Sequence, residues 1–243
     1  MVTNYFFQLA IFGDFSDITA TPDVSIRALD SLREFSLLPN TFSEITPPNP
    51  VPVTRLRFSS VQNEWSVNIG VSRIFIEQSL FDTQTSQMEI ESFSQQSVGM
   101  LEKLLSEFNK TGTRISFVAN GLLREMSPEE LQNAYIRLVR PIEFYANTPP
   151  FEWSVRSASR VDYLVLDTTE TVNLITTVGR VHGTMRRANV MVGLDRLSLN
   201  FDINTIPENR NSRMSIESVR SFLSQAIHSQ NTLIAQVEDL LHE

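Results

Sequence analysis

The chain repeats itself. VNIGVSRIFI (Val67 to Ile76) and VMVGLDRLSL (Val190 to Leu199) lie a constant 123 positions apart without a gap, and each sets Gly-x-x-Arg inside an alternation of branched apolar residues. Downstream, SQMEIESF (Ser86 to Phe93) is echoed by SRMSIESV (Ser212 to Val219), with Ser, Met, Ile, Glu and Ser in the same order. A sequence written twice constrains the fold strongly, because each copy must use the same grammar of elements.

That grammar is strand, short helix, several strands, long helix. FFQLAIFG (Phe6 to Gly13) precedes TPD (Thr21 to Asp23), and RISFVANG (Arg114 to Gly121) precedes SPEE (Ser127 to Glu130). Hydroxyl, proline, acid is a helix start: an N-cap, a residue whose missing N–H costs nothing, and a carboxylate at the positive end of the dipole. Each echoed octet opens a helix, carried in the first half by Phe93, Val98, Leu101, Leu104, Leu105 and Phe108 and in the second by Ile216, Val219, Leu223, Ile227, Ile234, Val237 and Leu241. Ser86 and Glu89 have the spacing of a capping box.

Alternation and β-branching predict strands at about 38–45, 51–59, 63–70 and 73–79, and at about 150–157, 161–167, 171–178, 185–193 and 196–203. Gly70 and Gly193 then fall between strands and shape a turn, with Arg73 and Arg196 starting the outgoing strand. Proline-rich TPPNPVP (Thr46 to Pro52) and NTPP (Asn147 to Pro150) occupy comparable places between short helix and hairpins.

The expected fold is α+β, in two lobes at 1–110 and 111–243, each a curved antiparallel sheet packed on a long C-terminal helix. This element order resembles the TATA-binding-protein-like, helix-grip type of repeat, which implies a pseudo-two-fold arrangement. The segments NEWSVNIGVSRIFIEQS and LDRLSLNFD, each leading toward a helix with an acidic first turn, also resemble a sporadically distributed bacterial family of uncharacterised proteins of about this length. That resemblance implies a fold and a cytoplasmic bacterial setting but no site. Patchy families of this kind often travel with mobile or defence-related genes, which is an association and not a mechanism.

Charge and composition narrow the chemistry. There is no cysteine, so disulfides, thiolate metal sites and thiol catalysis are excluded. The net charge of −8 is lopsided: residues 1–109 hold 6 basic against 13 acidic side chains, residues 110–243 hold 14 against 15. With a pI near 5.0 and only two lysines, the chain lacks the electrostatic footprint of a nucleic-acid binder. No run of apolar residues is long enough to span a membrane.

Catalytic motifs are absent. No serine sits in Gly-x-Ser-x-Gly, no glycine-rich phosphate loop is present, and His182, His228 and His242 are too few and too scattered for a triad or a metal site. Glu129 and Glu130 read as helix capping, and Asp162 and Asp167 as strand and turn residues.

The expectation is therefore a non-enzymatic, cofactor-free binding or regulatory protein with a protein partner, a basic one in view of the acidic first half, in a phage-defence or toxin-control setting; homo-oligomerisation is compatible with it. The alternative is a sensor of a small anion such as a nucleotide, held by RVHGTMRR through Arg180, Arg186, Arg187 and His182. Trp65 and Trp153, with Arg73 and Arg196, are the candidates for a partner-facing side of the sheet, although strand tryptophans also pack under helices.

Overall fold

A computed structural model describes residues 2–46, 49–80, 88–187 and 190–242. The elements are β1 (Thr3–Phe12), α1 (Pro22–Ser31), a 3-10 turn at Arg33–Phe35, β2 (Leu38–Thr46), β3 (Asn49–Ser59), β4 (Trp65–Ile69), β5 (Arg73–Ser79), α2 (Ile90–Glu107), β6 (Arg114–Leu122), α3 (Pro128–Val139), α4 (Glu143–Asn147), β7 (Trp153–Val165), β8 (Thr168–Arg187), β9 (Val190–Thr205) and α5 (Ile216–His242).

The class is α+β, built on one antiparallel sheet of nine strands in the order β2-β3-β4-β5-β1-β6-β9-β8-β7. The first strand of each half, β1 and β6, pair in the middle, and each is flanked outward by the last strand of its own half. FFQLAIFG and RISFVANG cross so that Leu9 lies opposite Phe117, the fourth residue of each. The long helices begin on the same residue of the echoed octet, Ile90 and Ile216.

Strand alternation decides the faces. Phe7, Leu9 and Ile11 of β1, Ile74 and Ile76 of β5, Ile115 and Phe117 of β6, and Leu197, Leu199, Phe201 and Ile203 of β9 are buried against the helical layer. Phe93 of α2 stands at the centre, its ring 5.1 Å from Phe7, 5.6 Å from Trp65 and 6.3 Å from Phe117. From α5, Val219, Phe222, Leu223 and Ala226 are fully buried, and α2 packs along α5. One hydrophobic cluster runs through both halves. The opposite face carries polar rows: Gln8 and Ser66 donate to Glu77, Asn68 to Ser66, and Asn204 to Asp202.

Helix starts follow their sequence signals in one case fully. Ser127 accepts from the Glu130 N–H, and the Glu130 carboxylate accepts from the Ser127 N–H, a complete capping box with Pro128 next to it. In α2 the N-cap is Glu89 itself, without a side-chain cap; Ser86, its expected capping partner, lies outside the described residues.

The second half differs from expectation in its strands. Five predicted strands are three long ones: the predicted interruptions near 158–160, 179–184 and 194–195 continue in ladder pairing, and the predicted strand at 185–193 is divided between β8, which ends at Arg187, and β9, which begins at Val190. Gly70 does shape a turn: its N–H donates to Arg73 O at 2.9 Å, and a Cβ there would meet a Glu44 carboxylate oxygen at 2.9 Å. Gly193 does not. It pairs with Thr184 in mid-ladder, and Arg196 is likewise internal to β9, while Arg73 begins β5 as expected.

Candidate functional site

The echo therefore makes a tight hairpin in one half and an extended arm in the other. β7 starts pairing with β8 at Trp153 and Arg180, and β6 stops pairing with β9 at Leu122 and Ser198. From Val181 opposite Arg196 to Arg187 opposite Val190, the β8–β9 ribbon has no further strand on either side among the described residues. At the usual rise per residue that is a projection of roughly 20 Å. A two-stranded ribbon is marginal by itself in water, so its base must hold it.

Two arginines do so. Arg180 forks onto Asp195 with Nε and Nη2 at 2.8 and 2.7 Å from the two carboxylate oxygens. The bond raises the Arg180 pKa and lowers that of Asp195, in each case first through the hydrogen bond they share. Arg196 donates through Nε, at 2.7 Å, and Nη2 to the Leu123 carbonyl, tying the ribbon to the end of β6. RVHGTMRR is thus a strand segment, with Arg180 occupied by a carboxylate of its own chain. The side chains of Arg186 and Arg187 lie outside the described residues.

Apolar side chains meet water beside the arm's first residues, along it, and in the segment that precedes β7. Phe151, 68% exposed, sets its ring edge-on to exposed His182, with 6.1 Å between centroids. Ile142, Phe144 and Tyr145, at and beside α4, are exposed in the segment that leads into β7, and Met191 is exposed on the arm. These aromatics were missed in the sequence because PIEFYANTPPF has neither helical nor strand periodicity. Its signal was the density of apolar residues in a proline-bounded connection, which burial would not predict.

The tryptophans belong to the core side. Trp65 stacks on Phe93 of α2 at 5.6 Å, and Trp153, nearly buried, tilts against Tyr135 of α3 at 5.6 Å. Arg73, by contrast, lies on the helix-free face with its guanidinium 4.7 Å above the Phe75 ring. The structure thus separates the proposed partner-facing group: Arg73 at one end of the sheet, Arg196 at the arm base, and both indoles under helices.

A second feature lies at the end of the sheet opposite the arm. Phe12, Gly13, Asp14 and Ser72 from the first half and Thr113, Arg114, Pro207, Asn209 and Arg210 from the second line an open cleft of about 440 Å3. Among the described residues no histidine–carboxylate cluster could hold a metal ion, and no helix is long and apolar enough to cross a membrane. No protein-family model and no curated protein matches the chain.

Proposed function

We propose that this chain is a non-enzymatic binding protein that recognises another protein through the β8–β9 arm and the aromatic residues at its base. The observation that carries the reading is the arm itself: seven ladder pairs beyond the sheet, with Met191 exposed on it and Phe151 exposed against His182, while Ile142 and Phe144 are exposed in the segment that leads into β7. Exposed aromatic side chains on a rigid base are the usual anchors of protein interfaces. The ribbon's outer backbone groups also suit strand addition by a partner.

The acidic balance, with net charge −8, favours a protein partner over nucleic acid, and a basic one over an acidic one. A TATA-binding-protein-like pair of duplicated lobes is the reading of the architecture we favour. It is supported by the central β1–β6 pair, the Leu9–Phe117 crossing and the matching starts of α2 and α5. A place in a bacterial defence or toxin-control system rests on the family resemblance alone.

The test is affinity purification from the native host with the intact chain beside a Phe144→Ser/Phe151→Ser/Met191→Ser variant. The expected result is a stoichiometric partner that the variant fails to retain. Recovery of no such partner, or equal recovery by both chains, would overturn the reading.

A further inference from the structure

The cleft at the far end of the sheet supports an inference independent of the arm. Across three neighbouring strands, Arg73 of β5, Phe12 of β1 and Arg114 of β6 stand in one row on the helix-free face. The Arg114 guanidinium lies over the Phe12 ring at 4.2 Å, and its Nε is shut off from water without an acceptor. Arg210 enters the lining from the connection between β9 and α5.

That connection is held in place rather than left to drift. Arg213 forks onto Glu170 at 2.7 Å through both Nε and Nη2, and its Nη1 donates to the carbonyls of Thr113, Asn209 and Asn211. One side chain thereby fixes the wall carrying Pro207, Asn209 and Arg210 against the start of β6. Arg73, Arg114 and Arg210 make no ion pair among the described residues, whereas nine other basic side chains are shown in ion pairs on this acidic chain.

The one acid in the lining, Asp14, accepts the Ser16 N–H at 3.0 Å and hydroxyl at 2.6 Å, so its charge is already partly satisfied. Burial is the leading influence lowering the Arg114 pKa; the Asp202 carboxylate on the same face opposes it and the nearby Arg73 adds to it, and an arriving anion would act in the same direction as Asp202.

We propose that this cleft binds the oxyanion group of a metabolite-sized ligand, a phosphate or a carboxylate, gripped by Arg114 and Arg210, with Arg73 adding positive charge at the rim. Guanidinium forks match both oxyanions, and the volume is that of a small-molecule site at a junction between the chain's halves. The site moves anion recognition away from Arg180, which Asp195 already holds, to the opposite end of the sheet.

Isothermal titration of the intact chain with inorganic phosphate, AMP and citrate at low salt tests it, alongside Arg114→Gln, Arg210→Gln and the distant control Arg156→Gln. At least one probe should bind wild type and the control alike and bind each cleft variant about tenfold or more weakly, the loss expected for one charge-assisted contact. Phosphate and AMP binding without citrate assigns a phosphate group; citrate alone assigns a carboxylate. If Arg114→Gln misfolds by circular dichroism, Arg210→Gln decides alone, because Arg210 is exposed. Binding by none of the probes, or affinity unchanged in Arg210→Gln, overturns the proposal.

Discussion

Single arginines and one glutamate carry much of the chain's local order. Arg55 is 1% exposed, with Nη2 donating to Phe15 O at 2.6 Å and Gly70 O at 2.8 Å, Nη1 to Ser16 O at 3.2 Å and Nε to Ile69 O at 3.2 Å. It fastens the loop after β1 to the β4–β5 turn. Arg55→Met keeps the bulk and strands these carbonyls, which should cost about 3–5 kcal/mol. For a chain of this size that lowers Tm by roughly 10 °C, measurable by circular dichroism; an unchanged Tm would refute the assignment. Glu130 gives a pH prediction. Its carboxyl falls from 4.5 to about 2, first through the hydrogen bond from Arg124 and then through that from the Ser127 backbone. A depressed folded pKa means stabilisation that is present above the unfolded value and lost as pH falls through the folded one. The capping contribution should therefore be full at neutral pH and fade between about 4.5 and 2. Glu130→Gln should lower Tm at pH 7 and leave a smaller difference from wild type at pH 2.5; a gap that widened in acid would contradict this.

At the scale of elements, the β8–β9 arm separates folding from binding. Among the described residues its pairs from Val181 to Arg187 touch no third strand, so replacing residues 183–194 with a two-residue Asn-Gly turn should leave the sheet intact and shift Tm by only a few degrees. The same variant should lose the partner, and a collapse of the fold on truncation would show that the ribbon supports the core instead. This element also shows what the sequence could and could not reveal. Helix starts were legible because Ser127-Pro128-Glu129-Glu130 states its own hydrogen bonds, and the first-half strands because Val67, Ile69, Ile74 and Ile76 alternate around a turn at Gly70. The second half misled at Gly193. Glycine marks a turn only where the backbone needs one, and here nothing stands within 4 Å of where its Cβ would be. Strand continuity there is set by the pairing of β8 with β9, a nonlocal fact that no window of residues contains. The same nonlocality hid the cleft, since Arg73 and Arg114 come together only through the β5-β1-β6 order and Arg210 joins them only through the connection that Arg213 holds against the start of β6.

The whole molecule is tied together at its middle. β1 and β6 come from different halves, yet they pair over nine residue positions, and the Phe7, Phe93 and Phe117 rings interlock beneath them. Neither half can bury its first strand without the other, so unfolding should be one cooperative event despite the repeated sequence. The two tryptophans provide the test, because Trp65 reports on the first half and Trp153 on the second, each from under its own helix. In Trp65→Phe and Trp153→Phe chains the remaining indole gives a local fluorescence signal. Urea midpoints from the two probes should coincide after correction for each substitution's own cost. Phe117→Ala, which empties a fully buried site in β6, should then lower stability by about 3–5 kcal/mol. The decisive point is where that loss is felt. If the seam couples the halves, Trp65 must register it as fully as Trp153, although Phe117 belongs to the second half. A shift confined to Trp153 would mean two lobes that fold separately and merely abut.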